Sequence, residues 1–196
     1  SVSHVELDPQ TVEQGAVLGM GFADIQGHWA QRAIVKLQEA GAISGFEDGT
    51  FRPEQEITRA EFVKLVVSAF HLEAQAQQEY QDVAQTDWFA PYVSVATALE
   101  LVNGYDGYFR PNDFISRQDC AVILYRLLHS MGEEILGNME FDDVQEIAPY
   151  AKEAVAALGA AGVIKGTERG FEPQEYTTRA QVAQMIVNVM DYMGRE

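Results

Sequence analysis

The sequence is poor in cysteine, in basic side chains and in long apolar runs, and each shortage excludes something. Its 196 residues include a single cysteine, Cys120, which rules out a disulfide within the chain. Cys120 lies in the apolar run CAVILYRLL, where we expect a small buried side chain. No apolar run reaches the roughly 18 residues that cross a membrane, and residues 1–21 lack the basic start and apolar middle of a signal peptide. We therefore expect no membrane insertion.

Basic residues are far outnumbered by acidic ones. Thirteen Lys and Arg side chains stand against 30 Asp and Glu, which gives a formal net charge of −17. A surface of this sign repels phosphate backbones, so we expect no nucleic-acid partner. An anionic ligand would need a local cluster of Arg or Lys to overcome the general field.

Motifs for catalysis and metal binding are missing as well. The histidines show no His-x-x-x-His spacing and no cysteine pairing suited to zinc: His4, His28, His71 and His129. The tripeptide EDG at 47–49 fails as a calcium loop, because Ser44 and Phe46 occupy earlier positions that need an acid or Asn. There is also no P-loop, dinucleotide fingerprint or serine nucleophile elbow. We expect no metal, no cofactor and no enzymatic activity.

One pattern occurs three times and covers most of the chain. Its copies run over residues 22–70, 80–128 and 141–190. The matching landmarks, in repeat order, are Asp24, Asp82 and Asp143; Trp29, Trp88 and Tyr150; Gly45, Gly104 and Gly166; Pro53, Pro111 and Pro173; and Arg59, Arg117 and Arg179. The repeats predict an N-terminal segment at 1–21, linkers at 71–79 and 129–140, and a third unit with the C-terminal tail at 141–196.

Each repeat is predicted to fold as helix, loop, helix. In the first helix of repeat one, Trp29, Ala33, Leu37 and Ala40 share one face. Either Gly41 or Gly45 can adopt the positive φ that ends such a helix. The loops contain Phe51, Phe109 and Phe171, which we interpret as anchors that reach into the core. The second helices are apolar nearly all round, which predicts an all-α fold with a central, pseudo-threefold bundle of three helices.

The second helix of each repeat begins with a capping motif. Thr58 and Glu61 form the spacing of a capping box, in which the threonine oxygen and the glutamate each accept a backbone N–H. The other repeats have the same spacing and similar residue types, with Ser116 and Asp119 in the second and Thr178 and Gln181 in the third.

Capping does not require the arginine that follows each cap residue. A cation in the first helical turn is mildly disfavoured by the helix dipole, so Arg59, Arg117 and Arg179 break a local rule at the same place in each repeat. Two interpretations remain open. Each arginine pairs with a carboxylate of the fold, with Asp24, Asp82 and Asp143 as candidates, or it points into a groove and binds a ligand anion beside free helix N–H groups.

Aromatic residues open the first helices at positions 29, 88 and 150. Taken singly, each is typical of a packed core. A Trp at a helix start beside a loop can also present a face or its N–H to a sugar.

The first repeat, FADIQGHWAQRAI…LQEAGAISGFEDGTFRPEQEITRAEF, closely resembles the S-layer homology domain. The TRAE box, the preceding FRP and the Asp-x-x-x-x-Trp opening carry the resemblance, which extends over three copies. It implies a three-pronged pseudo-trimer of helix–loop–helix repeats, with ligand grooves between neighbouring prongs.

The resemblance also implies a function, non-covalent anchoring to the bacterial cell wall. The expected partner is a secondary cell-wall polysaccharide that carries pyruvate ketals, notably on N-acetylmannosamine, and the expected location is the cell surface or S-layer. The implied ligand-binding residues are the repeated Arg, Asp, Trp or Tyr, and Gly: Arg59, Arg117, Arg179, Asp24, Asp82, Asp143, Trp29, Trp88, Tyr150, Gly45, Gly104 and Gly166. Self-assembly into an S-layer would involve domains outside this chain.

Departures from the pattern suggest an order among the grooves. The third repeat has Tyr150 in place of Trp and Gln181 in place of Glu, so the groove with Arg59 is expected to bind best. The alternative is a structural or protein-interaction module of the same fold, in which the arginines are internal ion-pair partners.

Overall fold

Six α-helices make up the regular structure of this chain in a computed structural model, which describes residues 21–75 and 77–194. They are α1 (Gln31–Glu39), α2 (Arg59–Ala69), α3 (Ala90–Ala98), α4 (Arg117–Ser130), α5 (Lys152–Ala160) and α6 (Arg179–Met193). Short 3₁₀ turns lie at Ala23–Ile25, Val144–Glu146 and Pro149–Ala151. No strand or sheet occurs in these described residues, so the predicted all-α class is confirmed. The N-terminal segment predicted at 1–21 lies outside them except for Gly21.

The helices pair across repeat boundaries. Helix α3 packs on α2, α5 packs on α4, and α1 packs on α6, while α6 also contacts α2 and α4. The second helix of each repeat therefore joins the first helix of the next repeat, and the pair α6–α1 closes the ring. A salt bridge of 2.9 Å between Lys36 on α1 and Asp191 on α6 spans this closure.

Three backbone hydrogen bonds mark the pseudo-threefold axis. Ile57 N–H donates to Thr177 O at 3.0 Å, Ile115 N–H to Ile57 O at 3.1 Å, and Thr177 N–H to Ile115 O at 3.1 Å. Each residue lies two positions before a central helix, and all three are buried. The cycle makes each repeat both a donor and an acceptor for its neighbours, as the predicted pseudo-trimer requires.

The starts of the central helices are tied to the loop of the following repeat. Arg59 N–H donates to Asp113 O and Ala60 N–H to Pro111 O, at 2.9 and 3.0 Å. Equivalent bonds run from Arg117 to Glu175, Gln118 to Pro173, Arg179 to Gln55 and Ala180 to Pro53. These bonds occupy N–H groups that an anion at a helix start would use. The expectation of free helix N–H groups beside the arginines is therefore wrong at these positions.

Loop and helix-end residues settle several local predictions. Phe51, Phe109 and Phe171 are almost fully buried, which confirms them as loop anchors. Gly41 takes the positive φ of 71° just after α1, whereas Gly45 does not, so Gly41 ends that helix.

Cys120 is fully buried on α4, as expected. Its Sγ lies 3.5 Å from Thr177 Oγ1, and burial raises the pKa of its thiol to about 12.

Candidate functional site

The opening aspartates hold the loops rather than the arginines. Asp24 accepts the N–H groups of Phe51 and Arg52, both at 2.8 Å, one on each carboxylate oxygen. Asp82 does the same for Phe109 and Arg110, and Asp143 for Phe171 and Glu172. The second residue of each pair has a φ of 58–61°, a left-handed conformation that costs a non-glycine residue roughly 1–2 kcal/mol. The two charge-assisted bonds stabilise this strained turn.

Each arginine reaches into the following repeat and binds the anchored phenylalanine. Arg59 Nε donates to Phe109 O at 3.0 Å, Arg117 Nε to Phe171 O at 2.8 Å, and Arg179 Nε to Phe51 O at 2.8 Å. The guanidinium carbons also lie 4.5–5.1 Å from the centroids of the same rings. Aspartate and arginine thus meet through one phenylalanine, whose N–H binds the acid and whose carbonyl binds the cation.

The third helical position decides what else the guanidinium meets. Asp119 Oδ2 lies 3.0 Å from Arg59 Nη1, and Glu61 Oε2 lies 4.0 Å from Arg179 Nη1. Gln181 holds this position beside Arg117 and carries no charge. Arg117 also donates from Nη2 to Lys165 O at 2.8 Å, as Arg179 does to Ser44 O at 3.2 Å.

The same third-position residues also take part in capping. Thr58 with Glu61, and Thr178 with Gln181, form reciprocal capping boxes with bonds of 3.0–3.2 Å. Ser116 accepts the Asp119 N–H at 3.2 Å. The Asp119 side chain does not return the bond; it turns to Arg59 and to Tyr150, whose hydroxyl donates to it at 2.7 Å. The predicted short capping box is therefore only half formed, because an aspartate is too short to reach back while it binds Arg59.

One groove is assembled around Arg59 from all three repeats. It has a volume of about 500 Å³. Its lining joins Arg59 of the first repeat, Gly104, Asp119 and Arg126 of the second, and Tyr150 of the third. Burial and the bond to Asp119 raise the pKa of Tyr150 to about 12. The hydrogen-bonded row Arg59–Asp119–Tyr150 therefore spans the three repeats and stays protonated at the tyrosine at physiological pH.

A second groove repeats this plan one unit further on. Its volume is about 380 Å³, and it is lined by Arg117, Trp29, Gly166, Gln181 and Asn188. Trp29 is 61% exposed, as is Tyr150 in the first groove, so both aromatics present open faces. We call these two sites the Arg59 groove and the Arg117 groove.

The surroundings of Arg179 are more crowded. Its guanidinium lies 5.0 Å from the ring of Phe46, and Arg52 stacks on that ring at 3.7 Å. Burial lowers the pKa of Arg179 to about 10, against the opposing effect of Glu61. Trp88, the aromatic of the second repeat, lies 5.5 Å under Lys64 on α2. The Phe46 ring and the Arg52 side chain thus lie beside the guanidinium of Arg179.

The predicted glycines permit a close approach of the loops. A Cβ on Gly45 would lie 2.2 Å from the Phe22 ring, and one on Gly104 would lie 2.5 Å from the Tyr80 ring. At Gly166 the nearest atom would be Gly170 O, at 2.7 Å. Gly104 and Gly166 also line the grooves, so their lack of a side chain shapes the cavity floors.

Sequence reasoning missed several groove residues on the central helices. Arg126 lies seven residues after Asp119 and lines the Arg59 groove, while Gln184 and Asn188 line the Arg117 groove. Their spacing from the third helical position, three or seven residues, keeps them on the same helix face. That periodicity, counted from the caps, is the signal that could have identified them.

Residues 21–75 and 77–194 contain no group of three His, Cys, Asp or Glu side chains arranged to hold a metal ion. None of the helices described there combines the length and apolarity needed to span a membrane.

Comparison with known proteins gives the same three units. The family model for the S-layer homology domain matches residues 21–63, 79–121 and 140–183. Among similar proteins, the exoglucanase XynX of Acetivibrio thermocellus is 31% identical over 87% of this chain and 16% of its own length. Cell surface glycoprotein 1 of the same organism is 35% identical over 76% of this chain and 7% of its own. The surface-layer 125 kDa protein of Lysinibacillus sphaericus is 35% identical over 75% and 12%, respectively. This chain thus spans a small part of each relative.

Proposed function

Because the chain belongs to the S-layer homology domain family, we propose that it holds a surface protein on the bacterial cell wall by binding pyruvylated polysaccharide in its grooves. Membership in three tandem copies, together with similarity to surface-layer proteins, indicates a cell-surface, cell-wall-associated anchoring module without catalysis of its own. Relatives named as enzymes are much longer than this chain, which leaves room for their activity in other domains.

The observation that carries the proposal is a guanidinium at the floor of a three-repeat groove beside an exposed aromatic ring. The chain has a net charge of −17, so a groove that concentrates Arg59 and Arg126 stands out against its surroundings. A planar guanidinium matches the two oxygens of a carboxylate such as that of a pyruvate ketal. The open faces of Tyr150 and Trp29 suit the apolar face of a sugar ring.

The other predicted residues take supporting parts in this proposal. Asp24, Asp82 and Asp143 fix the phenylalanine peptides that orient the arginines. Gly45, Gly104 and Gly166 let the loops pass close to neighbouring rings and carbonyls, and the last two open the groove floors. Trp88, the corresponding aromatic of the second repeat, lies beside Lys64. With more than one groove on one chain, a single polymer that reaches two of them gains affinity through effective concentration.

A structural or protein-interaction module is the second candidate, and the arginine contacts favour it to a degree. Arg117 and Arg179 are each only 6% exposed, and all three arginines donate to backbone carbonyls of the next repeat. A structural role for the arginines, joining neighbouring repeats, explains these bonds without any ligand.

Co-sedimentation with purified cell wall separates the two candidates. We expect the chain to pellet with intact wall and to stay in solution when the wall has first lost its pyruvate by mild acid treatment. Wall from which only protein has been removed is the matched control. Equal binding to both wall preparations would contradict pyruvate recognition and favour a different wall polymer or a protein partner.

A further inference from the structure

One helix position carries three different side chains at corresponding places in the three repeats. The third residue of each central helix is Glu61 in α2, Asp119 in α4 and Gln181 in α6. Each lies on the side of the arginine supplied by the preceding repeat in the ring: Arg179, Arg59 and Arg117. Two of the three arginines therefore lie beside an acid at this position, and the third lies beside an amide.

We propose that Gln181 makes the Arg117 groove the preferred site for the carboxylate of an acidic sugar, and that Asp119 and Glu61 weaken the two equivalent positions. This inference rests on the proposed function and names the groove that performs it. It reverses the order expected from the sequence, in which the glutamine counted against its groove.

The guanidinium of Arg117 is buried yet incompletely used. Its Nε and Nη2 atoms bind the carbonyls of Phe171 and Lys165, both at 2.8 Å. Its Nη1 atom has no hydrogen bond or ion pair with any residue in the described ranges. Because no buried side-chain nitrogen in those ranges lacks a partner, Nη1 reaches the solvent of the groove. Burial lowers the pKa of Arg117 from its ordinary value, against the opposing effects of Glu172, Asp143 and Glu175.

Gln181 adds donors to the same groove. Its Oε1 accepts the Thr178 N–H at 3.0 Å, which fixes the amide in the capping box. The amide nitrogen is then the free end of the side chain, and it carries two N–H donors and no charge. A carboxylate in the Arg117 groove would meet the guanidinium and this amide together, in a groove that the exposed ring of Trp29 also lines.

The Arg59 groove already contains a carboxylate that binds its arginine. Asp119 accepts from Arg59 Nη1 at 3.0 Å and from the Tyr150 hydroxyl at 2.7 Å. A ligand carboxylate would have to compete with Asp119 for Arg59 and would lie near a like charge, which disfavours binding. Glu61 places a second acid 4.0 Å from Arg179, so the same repulsion applies there.

Exchanging the acid and the amide tests this directly. Gln181→Glu is compatible with the fold, because Glu61 forms the same reciprocal capping box in the first repeat. The probe is the methyl glycoside of N-acetylmannosamine bearing a pyruvate ketal, with the unketalated glycoside as the blank. By calorimetry we expect Gln181→Glu to weaken binding of the ketal about tenfold, the equivalent of one charged hydrogen bond. Gln174→Glu, an exposed residue outside the described groove linings, adds the same charge as a control.

The two tryptophans report which groove is filled. Trp29 lines the Arg117 groove, whereas Trp88 lies under Lys64 on the helix that carries Glu61. In the wild-type chain we expect the ketal to shift the Trp29 indole NMR signal first. The double variant Gln181→Glu, Asp119→Asn should regain binding through the Arg59 groove, without a Trp29 shift.

Each outcome of this set is decisive. Unchanged affinity in Gln181→Glu, an equal loss in Gln174→Glu, or a silent Trp29 in a wild-type chain that binds the ketal would overturn the assignment of this groove and leave the proposed function standing. A wild-type chain that binds neither the ketal nor pyruvylated wall would overturn both.

Discussion

Arg179 in the third repeat donates from Nε to the carbonyl of Phe51 in the first, across 2.8 Å, and so ties the end of the chain to its beginning. The same guanidinium donates to Ser44 O at 3.2 Å and lies 4.5 Å from the Phe51 ring centroid. This buried cation stabilises the contact between the repeats at the ends of the described chain.

Arg179→Lys should therefore destabilise the fold although it keeps the charge. A lysine ammonium cannot reproduce two directed guanidinium bonds and a stacked plane, so we expect a loss of about 2–3 kcal/mol in the free energy of unfolding. Urea denaturation measures it. Arg59→Lys is the matched control and should cost less, because the Arg59 side chain is 18% exposed against 6% for Arg179. Equal losses would contradict the role of burial.

Asp82→Ala should loosen the second loop. It removes both acceptors from the N–H groups of Phe109 and Arg110, and Arg110 then keeps its left-handed φ of 61° without support. We expect a loss of about 2–4 kcal/mol in stability from two charge-assisted bonds. Adding Arg110→Gly should restore about 1 kcal/mol, because glycine adopts this φ freely. No gain from the glycine would show that backbone strain is not what the aspartate offsets.

Gly104→Ala should cost far more than the same change at Gly132. Both glycines have positive φ, 67° and 79°. A Cβ at 104 would lie 2.5 Å from the Tyr80 ring and 2.7 Å from Tyr108 O, whereas nothing lies within 4 Å of one at 132. An alanine at a positive φ costs roughly 1–2 kcal/mol, and this cost applies at both positions. Overpacking adds about 1–3 kcal/mol at position 104 alone. Thermal unfolding of the two variants compares them, and similar melting temperatures would contradict the close packing.

Cys120 should make stability fall with rising pH above 9. Burial raises the pKa of its thiol from 9.0 to about 12, so the folded chain keeps a proton that the unfolded chain loses. The stabilisation is complete below pH 9 and declines as pH rises toward about 12, by up to tenfold in the unfolding equilibrium constant per pH unit. Comparing the slopes of wild type and Cys120→Ala between pH 9 and 10 isolates this contribution, and parallel slopes would contradict it.

The same thiol should react only when the chain unfolds. Cys120 is the only cysteine of the sequence, and it is fully buried. We expect thiol reagents to modify it at a rate set by unfolding, independent of reagent concentration when the reagent is abundant. Rapid labelling of the native chain would show that α4 opens locally.

Much of the fold could be predicted because its signals are local. The cap of Thr58 and Glu61, the buried Phe51 and the apolar second helices each depend on residues a few positions apart. The partners of the repeats could not be predicted in the same way. Nothing near Arg59 in the sequence indicates that it would bind Phe109 and Asp119 in the next repeat, since repeat boundaries suggest self-contained units.

Only part of the groove chemistry could be predicted from the sequence, because the grooves are built from residues of different repeats. The arginines stand out in the sequence because they break a capping rule, whereas the sequence alone predicts that Gln181 weakens its own repeat. In the structure it shares a groove with Arg117 of the second repeat and Trp29 of the first. The predicted effect of Gln181 therefore differs from the one expected from its own repeat, because its neighbours in space belong to the other two repeats.

Pairing of helices across repeat boundaries means that no repeat contains its own complete packing unit. Helix α1 of the first repeat completes the pair begun by α6 of the third, so the first and last repeats complete each other's packing. The three repeats differ at Glu61, Asp119 and Gln181, yet every helix pair draws its two members from two different repeats, so a substitution in one repeat acts on the packing of its neighbour.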